Sequence, residues 1–228
     1  MYWQDENTES ERSTVARNMT DVVYGIDCRA LPVDHAWSLS RAVIAVLPWL
    51  PEDPRAGVHT IHVAESGNGW MRPGNPDDLL QISRRTRLIL RLPVERLGDA
   101  RALTGRALDV AGHRLTVGEA SERPLSNLTT IFARYIVAGE AESEEGFLKA
   151  MHTALHVMGI TPKKMLCGIE HRLRTPDGPL RTRSLMLAEL SPDESRRLQE
   201  QGLGSFRHLG CGLLLPHKGI QELHPVLE

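Results

Sequence analysis

At 228 residues the chain is long enough for one large domain or two small ones. A hydrophobic share of 41% supports a buried core, and a formal net charge of −2 excludes a uniformly basic nucleic-acid binder. Cys28, Cys167 and Cys211 lie far apart with no Cys-x-x-Cys pair, which argues against a zinc ribbon or a disulfide framework. No stretch is long and apolar enough to span a membrane, and residues 1–17 lack the apolar segment of a signal peptide. The expectation is a cytoplasmic protein with a disordered arm over residues 1–19.

In chain order, residues 20–31 alternate as a strand, with Val22, Tyr24 and Ile26 on one face. Pro32 ends it and Asp34 is the expected helix cap. Leu39, Val43, Val46, Leu47 and Leu50 then follow at helical spacing until Pro48 and Pro51 intervene. Residues 57–64 alternate again, and 67–78 read as a loop. Residues 84–92 form the clearest strand, with Thr86, Leu88, Leu90 and Leu92 on one face and Arg85, Arg87, Ile89 and Arg91 on the other. A helix over 94–103 and short strands at 107–110 and 114–117 complete a βαββαβ order.

After a linker at 121–126 the pattern starts again. The expected elements are a strand over 129–138, a helix over 143–158 stopped by Gly159, and two strands over 165–175 and 180–190 around the turn Pro176-Asp177-Gly178-Pro179. A further helix starts at Ser191-Pro192-Asp193-Glu194, a capping box with proline at the first helical position. The expected fold is therefore α+β: two tandem ferredoxin-like (βαββαβ, RRM-like) domains over 20–120 and 127–220. A glycine-rich loop precedes the last strand, at 212–215.

That loop holds Gly202, Gly204, Gly210 and Gly212, with Arg207 and His208 between them. Glycine tolerates the left-handed backbone, so such a loop can turn sharply and aim N–H groups at an anion, or it is simply a flexible turn. Basic residues cluster locally. Residues 84–106 carry seven arginines against Glu95 and Asp99, and 161–219 carry ten Lys or Arg against six acids. Only Lys149, Lys163, Lys164 and Lys218 among the 27 basic residues are lysines, which suits bidentate phosphate contacts or a GC-rich genome.

The string Gly202-x-Gly204-x5-Gly210-x-Gly212 resembles the glycine-rich signature of the CRISPR-associated repeat-processing endoribonucleases. The wider string from Leu198 to Lys218 is similar to the variant first grouped from myxobacterial CRISPR loci. So are Leu31-Pro-Val-Asp34-His35 and the arginine-rich string from Ser83 to Pro93. The resemblance spans about residues 20–219. It implies a metal-independent enzyme, without cofactor, that cuts repeat RNA once per repeat. The ribose 2′-hydroxyl attacks the adjacent phosphate, leaving a 2′,3′-cyclic phosphate and a 5′-hydroxyl. It also implies an enzyme able to stay bound as a subunit of an interference complex.

In that family the catalytic histidine lies just after the first strand, the place His35 occupies. Histidine can act as acid or base near neutral pH. Some members add a tyrosine and a lysine, but no lysine lies near His35; Tyr24 and Arg41 are the nearby candidates. Arg207, Lys163 and Lys164 are candidate charge stabilisers, and His208 is a second acid/base candidate. The expected RNA contacts are Gly202, Gly204, Arg207, His208, Gly210, Gly212, Arg85, Arg87, Lys163, Lys164 and Lys218. For Arg85, Arg87 and Arg91 the alternative is a solvated outer face. Arg181 and Arg183 form a similar pair. His152 and His156 stand one helical turn apart, but lack the glutamate and third ligand a metal site needs. With aromatic content of 4%, hairpin shape and phosphate contacts are favoured over base stacking on a sheet. The competing readings are a non-catalytic RNA-binding subunit and a small-ligand regulatory module.

Overall fold

Alternation sets the first strand. In β1 (Met19–Asp27) Val22 and Tyr24 point into the core, and the Tyr24 hydroxyl donates to the Ala100 carbonyl at 2.8 Å. The structure, a computed structural model, describes residues 18–63, 75–141 and 143–217. It is a mixed α+β molecule with antiparallel sheets. The expected arm over 1–19 lies outside the described residues up to 17, and Met19 instead opens β1.

β2 (Ala30–Pro32) leads to α1 (Ala36–Ile44), which buries Ala36, Leu39, Ser40 and Val43, the i, i+3, i+4, i+7 stripe of a half-buried helix. β3 (Gly57–Val58) is shorter than the expected strand at 57–64. β4 (Leu79–Gln81) pairs with β2, a ladder with no counterpart in the sequence reading. β5 (Arg87–Pro93) runs into α2 (Leu97–Ala100), which has a 3₁₀ turn at each end, so the helix expected over 94–103 has mixed pitch. β6 (Ala107–Val110) and β7 (His113–Arg123) form a hairpin. β7 extends to Arg123 through residues expected to be linker, because it pairs along β1. The five strands order β3-β5-β1-β7-β6.

The second half follows its expected elements closely. They are β8 (Ile131–Val137), α3 (Glu144–Val157), β9 (Lys164–Leu173), β10 (Leu180–Ala188), α4 (Pro192–Gln201) and β11 (Leu214–Pro216). The sheet order is β11-β8-β10-β9. The local signals explain the boundaries. Ser143 caps α3 by accepting from the Gly146 N–H. Ser191 and Glu194 close a capping box on α4 with Pro192 in its first turn. Gly159 ends α3 at φ 69°, a value that favours glycine.

Each of the two larger sheets buries one apolar cluster. Tyr24, Leu39, Leu90 and Leu115 anchor the first, and Ala133, Phe147, Leu155 and Leu187 the second. A fully buried side chain of this size contributes about 1.5–3 kcal/mol. A third, smaller cluster joins the halves: Ala36 of α1 packs with Tyr135, Leu173, Leu209 and Cys211. Arg91 closes the same seam. By alternation it shares a face with Arg85 and Arg87, but it is fully buried, because the second half covers that part of β5. Its guanidinium holds Asp21 through Nε (2.9 Å) and Nη2 (3.2 Å). Nη1 donates to the carbonyls of Gln199 (3.1 Å) and Leu214 (2.7 Å).

Candidate functional site

The fold brings α1 and the glycine-rich loop together at the seam. A 3₁₀ turn, Arg207–Leu209, packs Leu209 against Ala36, the residue after His35. His35 is itself the N-cap of α1, one residue later than the cap expected at Asp34. The residue is 1% exposed. Nε2 accepts the Ile61 N–H at 2.9 Å, so the ring proton sits on Nδ1, which donates to the Pro32 carbonyl at 2.8 Å. His35 therefore stands at the start of α1 but is closed off from solvent. The ring holds the base tautomer, but its lone pair is occupied by backbone.

Asp34, released from capping, reaches across the seam. Its Oδ2 accepts the Arg174 N–H at 2.9 Å, while Oδ1 is buried without a hydrogen-bond partner. Burial pushes its carboxyl up, against the lowering effect of the Arg174 backbone and side chain. Arg174 also forms a two-pronged pair with Asp77, so the β9–β10 hairpin is tied to the first half.

The glycine loop divides sharply. Gly202, Gly210 and Gly212 are buried, and only Gly204 is exposed. An added Cβ at Gly212 would lie 2.4 Å from the Leu203 carbonyl oxygen, and one at Gly210 would lie 2.9 Å from the Thr60 side chain. The N–H of Leu203 donates to Gly212 O, that of Gly212 to Tyr135 O, that of Gly210 to Arg207 O and that of Cys211 to Phe206 O. Those donors are turned inward, so this part of the loop is a packed junction and not the expected phosphate cradle. The expected RNA contacts at Gly202, Gly210 and Gly212 are corrected on that ground.

Arg207 is corrected as well. It is 4% exposed, and Nη1 donates to the Arg55 carbonyl at 2.6 Å while Nη2 donates to the Glu200 carbonyl at 3.2 Å. Glu200 lies in the last turn of α4, where unpaired carbonyls favour a cation. Burial lowers the Arg207 pKa to about 10, so it stays charged at neutral pH. Its chemistry is spent on fastening α4 to the first half. A Gly202 Cβ would fall 1.9 Å from that guanidinium, which gives Gly202 a packing reason for being glycine.

The remaining expected residues are more open. Arg85, Arg87, Lys163 and Lys164 are exposed. The Arg87 Nη1 folds back onto the Arg84 carbonyl at 2.7 Å, and Lys164 pairs with Glu189. Arg181 and Arg183 bracket Glu170 instead of forming an open basic pair. His208 is half-buried, and burial lowers its pKa. Lys218 lies outside the described residues. His59 packs in the seam 3.8 Å from Asp21, beyond hydrogen-bond reach, and His152 and His156 are exposed on α3. No described helix is long and apolar enough to cross a membrane.

Residues 20–219 match the model of a family described as Cas6 Crispr. The chain belongs to the Cas6 family. It is 32% identical over 196 residues to a CRISPR-associated endonuclease Cas6 of Myxococcus xanthus strain DK1622, covering 86% of this chain and 80% of that one. A Cas6-related protein from Pyrococcus furiosus shares the fold, with a TM-score of 0.62 at 15% identity over 88% of this chain and 99% of that one. A RAMP protein described as binding different RNA substrates gives a TM-score of 0.58 at 15% identity, covering 87% and 100%.

Proposed function

We propose that this protein is an endoribonuclease that cuts CRISPR repeat RNA in precursor transcripts to release guide RNAs. Membership of the Cas6 family, carried by the match over residues 20–219, is the observation on which this reading rests. Each sheet with its helices is proposed to be a ferredoxin-like unit. The order β11-β8-β10-β9 supports this for the second half, and β3-β5-β1-β7 with β6 added at the edge supports it for the first. The units are proposed to take up residues 20–120 and 127–220, with β7 running on to Arg123, in a protein proposed to be cytoplasmic.

In the proposed reaction, which needs no metal, a general base takes the 2′-hydroxyl proton. The 2′-oxygen then bonds to the adjacent phosphorus as the bond to the 5′-oxygen breaks. The leaving 5′-oxygen takes up a proton from a general acid or from water, so the products are a 2′,3′-cyclic phosphate and a 5′-hydroxyl. His35 is the proposed base. The Pro32 carbonyl fixes the tautomer that leaves Nε2 free of a proton, the orienting arrangement a histidine base needs. The Ile61 N–H has to give way to the substrate for that lone pair to act. The exposed Arg85, Arg87, Lys163 and Lys164 are proposed phosphate contacts, together with Gly204 and His208 in the loop and Lys218 beyond it. The product complex is proposed to join other subunits of an interference complex.

The occupied His35 ring favours a second reading, a subunit that holds repeat RNA without cutting it. One experiment separates the two. The protein is incubated with its cognate repeat RNA in EDTA, and product ends are mapped beside those from His35→Ala. The expected result is one cut per repeat with a cyclic phosphate end, and a variant that binds RNA but no longer cuts. Unchanged cleavage by His35→Ala would remove the histidine from the mechanism. Tight binding without any cleavage by the natural chain would establish the second reading.

A further inference from the structure

Five residues of the loop between α4 and β11 have positive φ. Four are the glycines Gly202, Gly204, Gly210 and Gly212, and the fifth is Phe206, at φ 63° and ψ 38°. A bulky side chain in this left-handed region is an outlier, and glycine would serve the backbone better. The conformation is held firmly all the same. The Phe206 carbonyl accepts the N–H groups of Leu209 at 2.9 Å and Cys211 at 3.2 Å. Phe206 is 42% exposed, whereas Phe147 is wholly buried in the second core. Its ring partner is His208, with centroids 6.0 Å apart and planes at 50°. Gly204 and Ser205 beside it are exposed, and the turn that follows packs on the first residue of α1.

We infer that Phe206 is a stacking platform for one nucleobase of the bound RNA, with the His208 ring flanking the same site. The inference rests on the RNA-processing reading above and adds a base-binding position to a loop otherwise spent on packing. An aromatic side chain on a backbone pinned by two hydrogen bonds loses little freedom when a base settles on it. Stacking on a phenyl face discriminates weakly between bases, so the site sets position and affinity and not sequence.

The test uses Phe206→Gly and Phe206→Trp in the full chain, with synthetic cognate repeat RNA carrying 2-aminopurine at successive positions. Loss of the ring is expected to weaken binding by about 5- to 150-fold, the size of one base–aromatic stack. The salt dependence stays unchanged, because no phosphate contact is lost. Phe206→Gly is expected to melt no lower than the natural chain, since the strain is relieved, and Phe206→Trp is expected to bind normally. At one position 2-aminopurine fluorescence is quenched by the natural chain and not by Phe206→Gly. Equal affinity of Phe206→Gly and the natural chain, or no position-specific quenching, overturns the stacking alone. A natural chain that does not bind the repeat overturns the RNA-processing reading and the inference together.

Discussion

The two stretches of the glycine-rich loop solve opposite problems with the same residue type. From Arg207 to Gly212 nearly every group faces inward, and the glycines are there because neighbouring atoms leave no room for a Cβ. From Gly204 to Phe206 the chain is exposed, and the nearest atom to an added Cβ at Gly204 is an Ile136 methyl at an ordinary 3.9 Å. A glycine signature read from sequence merges these two roles. The structure separates a packed junction from an exposed stretch.

The largest expected effect tests that separation directly. Gly212→Ala combines a clash with the Leu203 carbonyl and a left-handed backbone, and is expected to cost about 3 kcal/mol or more. In a chain of this size that lowers the thermal midpoint by about 6–12 °C. Gly204→Ala, which suffers the backbone strain alone, is expected to cost about 1 kcal/mol. Equal losses in the two variants, measured by thermal melting, would erase the distinction.

A middle-sized effect comes from Arg207. Arg207→Ala leaves the Arg55 and Glu200 carbonyls without their donor inside the seam, and a loss of about 2 kcal/mol is expected. The slope of RNA affinity against salt should not change, because this arginine does not meet phosphate. A slope reduced by about one unit with unchanged melting would return Arg207 to the RNA surface.

The smallest effect concerns acid. Burial lowers the pKa of His59, and that outweighs the opposing pull of Asp21; Arg91 and Arg123 also face the pair and disfavour the imidazolium. The folded pKa therefore lies below the unfolded one. Stability is complete above the unfolded value, near 6.5, and falls as pH drops through it, by at most about 1.4 kcal/mol per pH unit. Asp21 follows lower down. Its burial would raise its carboxyl, but the Arg91 guanidinium holds it well below the usual carboxylate range, so its contribution is lost as pH falls below about 4. His59→Gln should flatten the limb between pH 7 and 5. A midpoint that rises on acidification to pH 5.5 would contradict a neutral buried His59.

Much of the second half was legible because its signals are local. A capping box at Ser191, a stop at Gly159 and a turn at Gly178 act over a few residues, and each boundary fell within two or three of its expected place. The first half was harder. β2 and β4 are three-residue strands that pair across a long separation, and no period can be read from three residues. The arginine faces show the same limit at the site. Arg87 and Arg91 alternate correctly on β5, yet one is exposed and the other buried, because the second half covers only one end of the strand. His35 lies one residue from the cap that the sequence suggests, and its occupied ring depends on Ile61, which packs there only in the finished fold. Phe206 carried one signal, an aromatic among glycines, that the basic and glycine residues around it obscured.

Arg91 also sets a schedule for synthesis. Its carbonyl partners Gln199 and Leu214 follow it by 108 and 123 residues. At translation rates of about 5–20 residues per second, the guanidinium waits roughly 5–25 s on the ribosome before either carbonyl exists. During that interval the first sheet has only Asp21 and water to hold the charge. The arginine that later locks the halves together is thus a charge carried on that face of β5 until α4 and β11 arrive.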